Sequence, residues 1–241
     1  MTVLSLPTST FDGRVEHAAR WWDAEAECTL VVSQPHLDPE LWSEYGRGAE
    51  RSYRRHGVES ALDVDAVRSG VDTAMFMAVV DRHRTVVGGV RAIGPLQSAA
   101  DSHAVIEWAG QPGEQAVAKL VSDRVPYGVL EMKSAWVAED APHTSEIAEA
   151  LARSGFHMMA MLGLQFCMAT AAAYVLNRWR SSGGVVAPIA AAPYPDHRYQ
   201  TKMMWWDRCN FIRYAAPKQA AKIITEIADL PTADSRSLAF R

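Results

Sequence analysis

The segment VLEMKSAWV, 129–137, sets Glu131 and Lys133 two positions apart among apolar residues. Strand alternation gives Val129, Glu131, Lys133, Ala135 and Val137 one face and Leu130, Met132, Ser134 and Trp136 the other. A carboxylate in such surroundings can serve as a general base, taking a proton from an amine directly or through water. The same two residues also read as a solvated or partly buried neutralising pair. Glu107, in VIEWAG, is a second carboxylate between apolar neighbours, and it fits a base or a structural partner for an arginine. Arg91 is the one charge in VVGGVRAIGP, 86–95. Its guanidinium fork can grip the carboxylate of a ligand, or it can pair with an acid such as Glu107. Alternation sets Arg91 on the face of Gly89 and Val87, and the adjacent glycines allow a bulge or the close approach of a ligand.

Other residue sets carry two readings each. Trp108, Trp136, Trp179, Trp205 and Trp206, with Met158, Met159 and Met161, suit either an adaptable aliphatic tunnel or plain core. Arg178, Arg180, Lys202 and Arg208 can meet an anionic partner or form a solvated face. His83, His143, His157 and His197 form no i, i+4 pair and have no cysteine at ligand spacing, so no metal site is expected. Cys28, Cys167 and Cys209 lie far apart and fit neither a disulfide framework nor a C-x-x-C site. A reducing cytoplasm is the simplest location, and Cys167 reads as a small core residue.

These side chains need a scaffold, and the composition supports one. Of 241 residues, 49% are hydrophobic and 22% charged, a balance that can bury a sizeable core. A net charge of −4 gives no electrostatic reason to expect nucleic acid or an anionic membrane as partner. No apolar run reaches membrane-spanning length, and MTVLSLPTSTFDGR lacks the pattern of a leader peptide. Residues 1–13 read as a loose tail and His17 to Glu25 as helical. TLVVS, 29–33, is a strand. Asp38 and Pro39 start a helix that stops at Gly57. Ala74 to Val80 and Thr85 to Ile93 form a hairpin around Asp81–Arg84. His103 to Ala109 reads as a strand, as does Tyr127 to Val137. A helix from about Ser145 carries the stripe Ile147, Leu151, Met158 and Leu162. Leu164 to Thr170 is a strand, Ala171 to Ser181 a helix, Val185 to Ala191 and Tyr199 to Asp207 strands. Gln219 to Leu230 is an amphipathic helix before a polar tail. Hairpins followed by a strand–helix–strand crossover predict an α/β (α+β) fold with helices on both faces of the sheet.

That order, with three segments, resembles the GNAT acyltransferase superfamily, in particular the branch of acyl-homoserine-lactone synthases and N-acyl amino acid synthases. The segment 76–95 is similar to that branch's hairpin, with Val87, Gly88 and Arg91 at its Val-Gly-x-x-Arg pattern. Glu131 matches the glutamate of the branch's central strand, and Lys133, Ser134 and Trp136 are a permuted form of the triplet that follows it. The helix with Arg51, Tyr53, Arg54 and Arg55 resembles the branch's first helix.

The resemblance implies a mixed, mostly antiparallel central sheet. It divides the chain into an N-terminal extension (1–28), an acyltransferase domain (29–212) and a C-terminal helix and tail (213–241). It implies transfer of an acyl group from an acyl-carrier-protein or acyl-CoA thioester to the amine of an amino acid or related metabolite, without a tightly bound cofactor or a metal. Catalysis would fall to Glu131 and Glu107, and substrate binding to Arg91, Lys133, Trp136, Arg51, Tyr53 and Trp108. Donor binding would fall to Val137, Met158, Cys167, Arg178 and Trp179. Two features depart from the superfamily. The glycine-rich pyrophosphate loop has its nearest text, Arg153 to Met158, inside a helix, while the loop Glu139 to Ser145 is acidic at its start, which disfavours phosphate. Trp179 stands where many acetyltransferases place a proton-donating tyrosine, and an indole cannot fill that role. An acetyl-CoA-dependent acetyltransferase and a catalytically silent acyl-ligand or partner-binding scaffold are the alternatives.

Overall fold

A computed structural model describes residues 14–230; the expectations for the two tails, 1–13 and 231–241, lie outside the described residues. A hairpin comes first, β1 (Ala19–Asp23) against β2 (Cys28–Ser33). Helix α1 (Pro39–Arg55) starts where expected, with the Asp38 side chain accepting the Leu41 N–H, and Gly57 at φ +63° follows its last turn. After α2 (Val64–Ser69), strands β3 (Thr73–Val80) and β4 (Val86–Ile93) form the foreseen hairpin. Two short helices, α3 (His103–Glu107) and α4 (Glu114–Ser122), lead to β5 (Val129–Val137). Helix α5 (Thr144–Leu162) crosses to β6 (Phe166–Ala172), followed by α6 (Leu176–Arg180). The chain continues through β7 (Val185–Val186), β8 (Ala192–Pro193), β9 (Gln200–Asp207) and α7 (Pro217–Ala228).

Among the described residues nine strands build one sheet, in the order β1-β2-β3-β4-β5-β6-β9-β7, with β8 beside β9. Only β5 and β6 are parallel, and α5 is the crossover that parallel neighbours require. One face carries α1, α3 and α4. There Trp42, Tyr45 and Phe76 form one cluster, and Trp108, Val117, Met168 and Trp205 another. The opposite face carries α5, packed on Met75, Met77, Leu130 and Met132, with Ala220 and Ile223 of α7 in the same core. From Ala150 to Leu162 every residue of α5 is buried, as befits a helix enclosed by a sheet and further helices.

Val185–Ala191 pairs as a strand only over Val185–Val186, and the expected helix at Ala171–Ser181 starts only at Leu176 because Ala171 and Ala172 still pair in β6. Two further elements change class. His17–Glu25 is not helical: Ala19–Asp23 forms an edge strand, because five consecutive residues pair with β2. Strand pairing here overrides a helical composition. His103–Ala109 is not a strand but the short α3. Ser102 caps it by accepting the Ala104 N–H at 3.2 Å, and Glu131 accepts the N–H groups of His103 and Ala104. Its valine and isoleucine suggest a strand only until those caps are supplied from outside the segment. Helices α2 and α4 are short, and no sequence signal was assigned to them.

A β-bulge reshapes the central strand. Gly89 pairs with Trp136 and Arg91 with Lys133, so Val90 alone stands opposite Ser134 and Ala135. Ser134 takes a left-handed φ of +54°. The expected alternation therefore inverts beyond it. Trp136 joins the α1 face, while Ala135 and Val137 pack against the α5 core. The Tyr45 hydroxyl donates to the Ser134 carbonyl at 2.9 Å. A Cβ on Gly89 would stand 2.5 Å from the Tyr45 ring and 2.7 Å from the Met77 carbonyl, and one on Gly48 only 1.9 Å from the Trp136 ring. These glycines let α1 lie close against the bulge. Gly89 and Arg91 share the α1 face, whereas Val87 belongs to the other core.

Behind the sheet, a network of buried charges joins α5, β1 and α7. Arg153 pairs with Asp23 and with both oxygens of Glu226, which also contacts His157 Nε2 at 2.8 Å; Lys222 reaches Asp23 at 3.0 Å. Burial pushes the Asp23 carboxyl up, but the Ala26 N–H, Lys222 and Arg153 outweigh it and hold it at about 2. Burial likewise opposes ionisation of Glu226, and His157 and Arg153 hold it at about 2.

Two outcomes follow. Gly89→Ala should lose about 1–3 kcal/mol of unfolding free energy in urea titrations, because Tyr45 must shift. For Asp23 and Glu226 the unfolded chain binds more protons than the native one below about pH 5. Their stabilisation is complete above that pH and falls away toward pH 2. Urea midpoints measured from pH 6 to pH 2.5 should decline, and Asp23→Asn should flatten the decline.

Candidate active site

Pairing of β5 with β6 ends at Met132 and Ala169. Beyond that point the strands part, and a cavity of about 580 Å³ opens between them through the sheet. On one side it meets α5, β6 and α6, with Ala148, Leu151, Val175 and Trp179 on its wall. On the other it meets α1 and α3, with Tyr53, Glu107, Lys133, Tyr194 and Thr201. One half is therefore mostly apolar and the other polar.

The polar half centres on Glu107. Lys133 Nζ donates to its Oε1 at 2.6 Å, and the Thr170 hydroxyl donates to the same oxygen at 3.0 Å. Both side chains are nearly enclosed, Lys133 at 11% and Glu107 at 1% exposure. The second oxygen, Oε2, is buried and has no hydrogen-bond partner. Burial opposes the Lys133 ammonium, but Glu107 and Glu131 outweigh that and raise it above the ordinary lysine range. Lys133 thus stays charged. Burial also raises the phenols of Tyr53 and Tyr194, which remain neutral hydrogen-bond donors. The imidazole of His103 is pushed down by burial and by Lys133, which favours its neutral form.

Glu131 sits one layer deeper. Fully buried, it accepts the His103 N–H at 2.8 Å and the Ala104 N–H at 3.1 Å, and so anchors α3, which carries Glu107. Burial pushes its carboxyl up, Lys133 draws it down and Glu107 pushes it up again. Both oxygens are committed to backbone, and Glu131 is not on the cavity wall.

The remaining sequence-derived residues divide cleanly. Lys133, Trp136, Tyr53, Val137, Arg178 and Trp179 line the cavity beside Glu107. Arg91 does not. It is buried and pairs with Asp72 at 2.5 Å and the Thr73 hydroxyl at 3.0 Å, so its carboxylate partner is neither a cavity group nor Glu107. Arg51 is exposed on α1 away from the wall. The Trp108 indole N–H donates to the Ala190 carbonyl at 3.0 Å within the core. Met158 is core of α5, and Cys167 is core of β6, with burial pushing its thiol up. Thr170, Tyr194, Thr201 and Asp72 carry no signal in the sequence: Thr170 meets Glu107 and Asp72 meets Arg91 only through the fold, and the Thr201 hydroxyl donates to the nearby Tyr194 carbonyl at 2.7 Å. At the apolar mouth the Glu139 carboxylate pairs with Arg55 and lies near His56. Among the described residues no group of three or more His, Cys, Asp or Glu is placed to hold a metal ion, and no helix is long and apolar enough to cross a membrane.

No family model matches the chain. Over 206 residues it is 56% identical to the uncharacterized protein Rv1356c of Mycobacterium tuberculosis and to the uncharacterized protein Mb1391c of Mycobacterium bovis, covering 85% of this chain and 78% of each of those. Among solved structures it is similar to FeeM, an N-acyl amino acid synthase from uncultured soil microbes, with a TM-score of 0.56 and 11% identity over 80% of this chain and 97% of that one. It is also similar to two CoA-dependent acyl-homoserine lactone synthases. BjaI with SAM and isopentyl-CoA has a TM-score of 0.52 and 15% identity, over 83% of this chain and 89% of that one. MesI has a TM-score of 0.52 and 14% identity, over 83% of this chain and 96% of that one. These likenesses establish the GNAT-like fold.

The Glu107–Lys133 pair yields a test of its own. Lys133→Met leaves a buried carboxylate without its cation and should lose about 3–5 kcal/mol of stability in chemical denaturation. The double change Lys133→Met with Glu107→Leu should recover most of that loss.

Proposed function

The chain belongs to the family of the mycobacterial protein Rv1356c and is built on the GNAT fold; on that premise we propose that it is an N-acyltransferase, moving an acyl group from a thioester on a pantetheine arm to a small-molecule amine. The observation that carries this reading is the cavity between β5 and β6, with the Glu107–Lys133 pair on its polar half. A through-going cleft lets two reactants meet from opposite faces of the sheet. The apolar side suits the acyl thioester. The polar side suits the amine.

In this reading the incoming ammonium docks against Glu107 and gives up one proton to Oε2, directly or through a water. The freed nitrogen lone pair attacks the thioester carbonyl. Backbone groups of β5 beyond Met132, released from pairing with β6, can steady the oxygen as it gains charge. When the C–S bond breaks, its electron pair leaves with sulfur; the proton still carried by the attacking nitrogen passes to water as the amide forms, and the thiolate takes a proton from solvent. Lys133 also keeps Oε1 occupied, which leaves Oε2 as the proton acceptor. Glu131 acts as a positioning residue, holding α3 and with it Glu107. The donor is an acyl carrier protein or acyl-CoA. The lack of glycine in the loop 138–143 before α5 favours a donor that does not lay a pyrophosphate there. A metabolite of the amino-acid class fits the acceptor half, where Lys133 can meet a carboxylate and Glu107 an amine.

Purified protein incubated with carrier-protein and CoA thioesters of graded length, together with a mixture of amino acids and simple amines, should yield acylated amines by mass spectrometry. Glu107→Gln should lower kcat at least about 100-fold with the circular dichroism spectrum unchanged. Full activity in that variant would remove Glu107 from the base role, and absence of any acylated product with every donor would overturn the reading.

A further inference from the structure

A second apolar space lies behind the donor half of the cavity. It is a dry seam, too narrow for a water molecule, between Met132, Leu151, Gly155, Phe156, Cys167 and Trp206. Trp179 lines both this seam and the main cavity, as do Met132 and Leu151. Trp179, together with Met132 and Leu151, therefore forms the wall between an open chamber and a closed one, and it is the bulkiest of the three. Its support is specific. Trp179 meets Trp206 edge to face, with ring centroids 6.2 Å apart. The Trp206 indole N–H donates to the Ser182 hydroxyl at 2.9 Å, and that hydroxyl lies 2.7 Å from the Ala152 carbonyl and 2.9 Å from the carbonyl of Trp179 itself. The partition is thus braced from behind by a hydrogen-bonded residue on β9 and by the turn after α6.

We propose that Trp179 is the end-stop of the acyl channel, which limits the donor to acyl chains that terminate against its indole, and that the seam behind it is the path longer chains would follow if it were removed. This rests on the reading of the cavity as an acyl-thioester site. The wall of the seam suits such a chain: two sulfur-bearing side chains, Met132 and Cys167, and aliphatic and aromatic surface, with no charged group. Each methylene gained or refused in a hydrophobic pocket changes discrimination by about 10-fold or more, so a single bulky residue at the end of a channel sets a sharp cut-off in chain length.

The test compares wild type, Trp179→Ala and Trp179→Phe, after equal thermal midpoints show that the folds are retained. Acyl-pantetheine thioesters from two to sixteen carbons, about the span of common acyl groups, are titrated calorimetrically without acceptor, and kcat/KM is then measured for the same series. Wild-type affinity should rise with chain length and then break off. In Trp179→Ala the break should move to longer chains, with a gain of about 10-fold or more for the first length that wild type refuses. Trp179→Phe should fall between. An identical cut-off in all three proteins would overturn the end-stop while leaving the acyltransferase reading intact. A shifted cut-off in binding without any turnover would sustain the end-stop and defeat the transfer reading. Failure of every thioester to bind any of the three proteins would overturn both.

Discussion

The Tyr45 hydroxyl bonded to the Ser134 carbonyl, at 2.9 Å, is the contact on which the site's geometry turns. It fixes a bulge whose extra residue changes which side chains face which way. Without that residue, Lys133 and Trp136 would point to opposite faces of the sheet; with it, they stand on the same one. Immediately before the bulge, β5 gives up its partner β6. A parallel pair that separates leaves main-chain polar groups facing a gap, which folded proteins tolerate where a ligand or water can satisfy them. The glycines at 48 and 89 are the steric condition for this arrangement, since α1 must press onto β4 and β5 closely enough for a tyrosine on the helix to reach the bulged carbonyl.

The two buried charge clusters differ in a way that separates architecture from chemistry. Behind the sheet, both carboxylates around Arg153 are engaged by cations, and Glu226 has both oxygens occupied by Arg153. Glu131 likewise spends both oxygens on the start of α3. Glu107 is unlike these. One of its oxygens takes two donors while the other takes none. Of these four carboxylates, Asp23, Glu226, Glu131 and Glu107, Glu107 alone lines the cavity, which separates its place from that of a purely architectural ion pair.

Much of the scaffold could be read from residue patterns. The Asp38–Pro39 helix start, the 73–93 hairpin and the apolar stripe of α5 carry local signals, and each stands where those signals put it. The failures have a common cause in long-range contacts. The edge strand at 19–23 is a strand because β2 pairs with it, and α3 is a helix because Glu131, 27 and 28 residues downstream, supplies its cap. At the site, Glu131, Lys133 and Glu107 stood out as charges in apolar text. Their order of depth could not be read, because it depends on α3 being a helix and on a bulge that breaks period-2 alternation. Arg91 shows the same limit. Its charge was visible, but Asp72, a single acid in a loop before β3, gave no sign of being its partner.

The clasp between Arg153, Asp23 and Glu226 has a consequence for how the polypeptide is made. Its members are spread from the first strand to the last helix, with 199 residues between Asp23 and Lys222. During synthesis Asp23 leaves the ribosome early, and Arg153 follows in the middle of the most enclosed helix. Glu226 emerges close to the end. Until then the guanidinium has only one of its two carboxylates, and His157 has no acid beside it. Closure of so long a loop must also be offset before these contacts form. Until α7 is released, α5 therefore carries Arg153 and His157 in its enclosed middle without the acid that engages both of them.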